Sequence, residues 1–254
     1  MLAIAVLIGI GLLLMVVERV IPDQDLPAVE GWWGRVIVIN VLQASVVLVA
    51  GRTWEVWLQR TSLLDGASWF DGPVPGGVLA YLLITFVFYW WHRWRHEVNA
   101  LWLLCHQVHH SPQRIETITS FYKHPLEITI NSVLIAAIVY GGLGLSVESG
   151  SVLTLMTGVA EFAYHTNVKT PRWWGFILQR PEMHRIHHER GVHYSNFADL
   201  PVWDMLFGTY KNPARVDTPC GFKPEREKRL LDMLRFRNVN NPFPKEVASS
   251  TDPS

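Results

Sequence analysis

The histidines of this 254-residue chain are spaced as metal ligands are. His92 and His96 stand four apart in WHRWRH, while His106, His109 and His110 form an HxxHH pattern in LLCHQVHHS. His184, His187 and His188 repeat that pattern in PEMHRIHHE. On a helix each set presents its rings on one side, because residues three and four apart are surface neighbours. Imidazole suits iron, zinc and copper alike, so the spacing points to a metal and leaves its identity open. A metal-free amphipathic face is the alternative reading, but it accounts poorly for three such sets in one chain.

The first two sets cannot share a site on one straight helix. Fourteen residues of separation is roughly 21 Å at about 1.5 Å per residue, whereas cooperating metals lie about 4 Å apart. The chain must therefore bend or break between the sets, and Glu97, Val98 and Asn99 are the expected place, where weaker helix formers meet a change in polarity. Pro181 suits the first position of the helix that carries the second HxxHH.

These ligands sit among apolar runs. Residues 1–17 read as a retained transmembrane helix, residues 36–50 as a short second span with Asn40 and Gln43 facing other helices, and residues 77–91 as a third running straight into His92. Trp32 and Trp33 suit a membrane interface. Residues 52–75 read as an interfacial helix and a turn. Residues 126–147 and 152–164 form a hairpin of two further runs, with the break expected at Ser149–Ser151. His165 then falls where the last run meets water, four residues after Glu161 on the same face. Residues 224–236 read as one soluble amphipathic helix and the last ten as disordered. The expected fold is all-α: an integral membrane helical bundle of about four to five membrane helices, with a cytosolic helical cap holding the histidines. Its divisions are residues 1–76, a catalytic region over 77–210, and 211–254.

Composition agrees. Lys plus Arg and Asp plus Glu both number 22, so the overall charge favours no nucleic acid, and a hydrophobic fraction of 49% with twelve tryptophans suits a membrane protein. Cys105 and Cys220 supply no disulfide framework. The distribution of Lys and Arg puts the N-terminus outside and the histidines in the cytoplasm, whether of a bacterial inner membrane or of the endoplasmic reticulum.

Taken in order, WWHRWRH, WLLCHQVHHS, FYKHPLE, YHTN, PEMHRIHHE and WDMLFGTY resemble the motifs of the fatty acid hydroxylase and sterol desaturase superfamily, membrane di-iron oxygenases. The resemblance covers about residues 77–210 and implies that His92, His96, His106, His109, His110, His184, His187 and His188 bind two irons, with His124 and His165 as additional ligands; His193 has no firm place in the pattern. It implies an O2-dependent lipid oxidoreductase that hydroxylates an aliphatic C–H of a sterol, fatty acyl or related lipid, with desaturation as the alternative. Glu97, Glu116, Glu161, Glu189, Asp199 and Asp204 are the nearby carboxylates, of which Glu161 and Asp204 are the expected partners of the ligands. A membrane zinc hydrolase needs fewer histidines than these, and a metal transporter would carry them inside its spans. Because the chain has no flavin, nicotinamide or iron–sulfur fingerprint, a separate carrier of the ferredoxin or cytochrome b5 type, with its reductase, must deliver electrons. Arg93, Arg95, Arg114, Lys123, Lys169, Arg172, Arg180, Arg185 and Arg190 are the expected docking surface.

Overall fold

The computed structural model describes residues 2–192 and 194–240. Within them the chain is helical: α1 (Leu2–Val20), α2 (Trp32–Ala50), α3 (Trp54–Arg60), α4 (Pro73–Glu97), α5 (Asn99–Leu101), α6 (Pro125–Ala136), α7 (Val147–His165), α8 (Pro181–His187), α9 (Pro201–Leu206), α10 (Pro224–Glu227) and α11 (Leu230–Leu234). The described residues hold no strand beyond an isolated bridge between Glu189 and Cys220. Among the described residues four stretches are long and apolar enough to cross a membrane: Leu2–Val20, Trp32–Arg60, Pro73–Glu97 and Pro125–Gly142. The protein is an integral membrane helical bundle with a histidine-rich cap.

The bundle closes around α7, which packs between α1 and α4. Small residues permit the approach: a Cβ on Gly77 of α4 would stand 2.5 Å from Val152, and one on Gly158 of α7 would stand 2.7 Å from Leu7 of α1. Being enclosed, α7 can carry more polar residues than a lipid-facing span. Its start differs from expectation. Ser149–Ser151 lie inside the helix, because Gly144 takes a left-handed φ of 64° and Ser146 caps α7 by accepting from the Ser149 N–H at 3.1 Å.

Val98 supplies the expected break after α4, with extended φ −106° and ψ 108°. The chain then reverses through α5 and a π-helical turn over Trp102–His106. Asn40 and Gln43 do face protein, donating to the carbonyls of Ile118 and Phe121. Trp32 is no interface anchor, however. Its ring is buried 5.6 Å from Tyr122 and its Nε1 donates to Glu116 at 2.9 Å, because α2 begins within the cap rather than at its edge. The expected helix over 224–236 is two short ones, α10 and α11, separated at Lys228 and Arg229. The expected disordered tail lies outside the described residues.

Glu18 fastens the end of α1 to the cap. Only 1% exposed, it accepts from the backbone N–H groups of Thr117 (2.9 Å) and Asn167 (3.0 Å) and from the Thr117 hydroxyl (2.8 Å), and it pairs with Arg19. Glu18→Ala strands those donors and should lower stability by about 3–5 kcal/mol, the usual cost of breaking a buried charged contact. Arg19→Ala, at a half-exposed partner, should cost about 1 kcal/mol or less. Thermal unfolding of the detergent-solubilised variants distinguishes them, and equal midpoints would refute the anchoring role.

Candidate metal centre

Nine of the ten expected histidine ligands converge, and they do so as two groups. His92, His96, His106, His110 and His187 form one; His109, His165, His184 and His188 form the other; within each, one ring nitrogen per residue lies within 4.8 Å of all the rest. The break at Val98 makes this possible. His96 and His106, ten residues apart and so about 15 Å distant along a straight helix, meet with their Nε2 atoms 3.0 Å apart.

Each HxxHH motif is shared between the groups. Residues four apart diverge by about 40° around a helix and residues three apart by about 60° the other way, so the i+3 ring turns aside from the i and i+4 pair. Thus His106 and His110 enter the first group while His109 enters the second, and His184 and His188 enter the second while His187 enters the first. The groups abut, with the His110 and His188 rings stacked at 4.2 Å and those of His184 and His187 at 5.3 Å.

Backbone carbonyls orient the rings. Nδ1 of His92 meets Phe197 O at 2.7 Å, Nδ1 of His187 meets Ser195 O at 2.8 Å, and Nδ1 of His165 meets Glu161 O at 2.8 Å. A carbonyl only accepts, so each Nδ1 carries the proton and each Nε2 offers its lone pair inward. Burial, reinforced by neighbouring histidines, pushes His109, His110 and His184 well below the usual imidazole pKa, so they are neutral donors at physiological pH.

These residues fit a transition metal. The buried Nε2 of His92 has no hydrogen-bond partner in the protein, as a ligand atom should not. Nε2 atoms of His165 and His184, and of His184 and His188, are 3.0 Å apart. Such spacing would let each set share one metal at the usual imidazole distance of about 2.1 Å. Five imidazoles also exceed the four of a closed zinc site. Neither cysteine competes: Cys105 Sγ donates to Leu101 O at 3.1 Å and Cys220 Sγ faces Arg185 O.

His124 is a correction to the expected set. It caps α6, its Nδ1 accepting from the Leu126 N–H at 3.0 Å, while its ring lies 5.1 Å from Phe236. Pro125 at the first helical position makes the preceding residue the cap, which turns the ring away from both groups. His193 lies outside the described residues. Asp204 acts at one remove: it accepts from the N–H groups of Phe197 (2.8 Å) and Ala198 (3.0 Å) and from Thr209 Oγ1 (2.7 Å), fixing the loop whose carbonyls hold His92 and His187. Glu161 gives His165 its backbone carbonyl, while its carboxylate takes Lys123 Nζ at 2.7 Å.

Sequence reasoning missed Glu127. It is fully buried, 3.4 Å from His106 Nδ1 and paired with Arg95. The signal was a carboxylate inside an apolar run, three residues after His124. The expected basic surface also shrinks, because a buried charge needs a partner. Arg95 is held by Glu127, Lys123 by Glu161, Arg180 by Glu182 at 2.8 Å, and Arg185 by Asp23 at 2.7 Å, all four cations being buried.

Removing an orienting partner typically weakens metal binding about tenfold to hundredfold, so Glu127→Gln should lose metal to a chelator correspondingly sooner than the parent. His124→Ala should retain it as the parent does. Chelator competition on the purified, metal-loaded proteins reads both; premature loss in His124→Ala would return that residue to the ligand set.

The model of the fatty acid hydroxylase family matches residues 77–209. Among similar proteins are alkylglycerol monooxygenase of Xenopus tropicalis, 30% identical over 177 residues covering 66% of this chain and 35% of the relative, and a sphingolipid C4-hydroxylase of Schizosaccharomyces pombe, 26% identical over 144 residues covering 55% and 49%. A Delta(7)-sterol-C5(6)-desaturase of Nicotiana tabacum is 24% identical over 169 residues, covering 63% and 58%. The chain spans about a third of the length of the alkylglycerol monooxygenases it matches. No solved structure matches. With the family model covering more than half of the chain, including the histidines of both groups, the chain belongs to the fatty acid hydroxylase family.

Proposed function

We propose that this chain is a membrane-bound, O2-dependent di-iron oxidoreductase that hydroxylates an aliphatic C–H bond of a lipid. The observation that carries the reading is the pair of abutting, largely buried, all-imidazole groups gathered at the end of a membrane helix. Two irons held by His92, His96, His106, His110 and His187 and by His109, His165, His184 and His188 would supply the two-electron oxidising power that an unactivated C–H bond demands. The protein's own part is to keep the rings aimed, holding His92, His187 and His165 through the Phe197, Ser195 and Glu161 carbonyls, and to bury most of them away from water. Desaturation by the same centre is the second reading, favoured by the similarity to a sterol desaturase. Abstraction of a first hydrogen is common to both outcomes, and small differences in substrate placement divide them. A zinc hydrolase suits the five-imidazole group poorly, and a transporter suits histidines gathered at one end of a span poorly.

The substrate is a membrane lipid; the names of the relatives point to ether-linked, sphingoid and sterol classes. The cap carries the C-terminal ends of α1, α4 and α7 and the N-terminal ends of α2 and α6, with Arg19, Arg35, Arg93 and Arg114 among them, which supports a cytoplasmic orientation. Electrons come from a separate acidic carrier of the ferredoxin or cytochrome b5 type. A surface cleft of about 510 Å³ suits its docking, lined by His96, Trp102, Arg190, Lys223 and Arg226. Trp102 bridges that cleft to the ligands, its ring 5.5 Å from His96 and 5.3 Å from His110.

Purified protein should contain close to two irons per chain, and lipid products formed under labelled oxygen should carry the label. Unlabelled products with intact iron would favour desaturation, and a protein without iron would overturn the reading. Lys223→Glu with Arg226→Glu should lower turnover at limiting carrier by about tenfold or more and flatten its salt dependence, with iron content unchanged. Unaltered carrier dependence would move docking elsewhere.

A further inference from the structure

The segment from Asp199 to Thr209 contains no run long enough to cross a membrane, yet it packs against the middle of a helix that does. Trp203 of α9 donates from Nε1 to Thr85 Oγ1 at 3.1 Å and sets its ring 5.0 Å from Phe86. Phe207 stacks on Tyr89 at 5.0 Å and meets Trp90 at 4.8 Å, while Leu200 packs against the apolar cluster that joins α4, α6 and α7. Thr85 precedes His92 by seven residues, which on α4 is about 10 Å toward the bilayer interior. The chain therefore descends from the ligand-holding loop along α4 and returns.

The polarity of α9 is inverted relative to a helix in water. Its carboxylate, Asp204, points inward and is 1% exposed, whereas Val202, Met205 and Leu206, at i, i+3 and i+4, point outward, Leu206 being 68% exposed. This face continues the lipid-facing strip of α4, where Val78, Leu79 and Leu82 are also exposed. It continues too into the 3-10 turn at Arg172–Phe176, where Trp173, Phe176 and Ile177 are exposed and Tyr210 ties the turn down by donating to Gly175 O at 3.1 Å.

We infer that α9 and the 172–176 turn form a re-entrant foot of the cap, seated in the acyl-chain region of the adjoining leaflet. An apolar outer face, with the helix's one carboxylate turned inward, is unfavourable in water and appropriate in lipid. The foot also carries Asp204, which fixes the loop that orients His92 and His187. Lipid contact and ligand orientation thus meet in one short element.

The test is a depth measurement on the full chain in phosphatidylcholine vesicles, with Cys220→Ser removing the partly exposed thiol. Nitroxide labels are placed singly at Val202→Cys, Leu206→Cys, Phe176→Cys and Ile177→Cys, with Arg215→Cys as the exposed reference. The four outward positions should be relaxed more by oxygen than by a water-soluble nickel chelate, at a depth about 5–10 Å below the headgroups, and the reference should behave oppositely. Nickel access at the four positions equal to the reference would overturn the foot. Immobilised labels reached by neither agent would also overturn it, identifying a second protein chain as the occupant. All the labelled positions point away from the protein, so four independent sites report even where one variant folds poorly. The measurement needs neither metal nor substrate, and its failure is distinguishable from failure of the oxygenase reading.

Discussion

Imidazole lone pairs aimed into a common volume repel one another, and holding nine such rings together is the demand that the rest of the fold answers. Each ring must be dry, neutral and fixed at its far nitrogen. Dryness comes from burial within the cap, complete for seven of the nine rings and partial for His92 and His96, and it also disfavours protonation of His109, His110 and His184. Fixation comes chiefly from main-chain carbonyls, the least adjustable acceptors available, at Phe197, Ser195 and Glu161. Because those carbonyls belong to a loop and to the last turn of α7, the loop and the helix must themselves be immobile. Asp204 answers for the loop, and the close packing of α7 against α1 and α4 answers for the helix.

A second layer of buried charge positions the cap on the bundle. Glu18 and Glu116 gather Arg19, Arg114 and the Trp32 indole, while Arg185 reaches Asp23 in the connection after α1. Such pairs yield little net stability, since desolvation offsets most of their attraction, but breaking one is costly. Their effect here is geometric. They join segments about a hundred residues apart in sequence, and a shifted register would strand a charge in a dry interior.

Much of this was legible in the sequence, and the failures have common causes. The histidine sets, the need for a break near Val98, Pro181 at a helix start and the apolar spans all follow from periodicity and propensity, which are local. His124 was misread because its neighbours resemble a ligand motif while Pro125 commits it to capping. Arg95, Lys123, Arg180 and Arg185 looked like a surface because charge usually is one; their partners Glu127, Glu161, Glu182 and Asp23 are distinguishable only once the chain is folded. Glu127 was hidden in an apolar run. The dip of α9 had no signal in hydropathy, because the helix is six residues long and carries Asp204 among its apolar residues.

The crossed sharing of the HxxHH motifs has an energetic consequence. His106 and His110 serve one group and His109 the other, while His184 and His188 serve the second and His187 the first. Neither group can assemble from one motif alone, so the reversal after α4 and the α8 segment must dock before either set of ligands is complete. Metal binding of this kind draws on folding free energy and returns it. A division in which each motif served its own metal would allow one half of the cap to form without the other. The crossed arrangement instead makes cap docking and completion of both groups one cooperative event, so neither group is complete while the other is open.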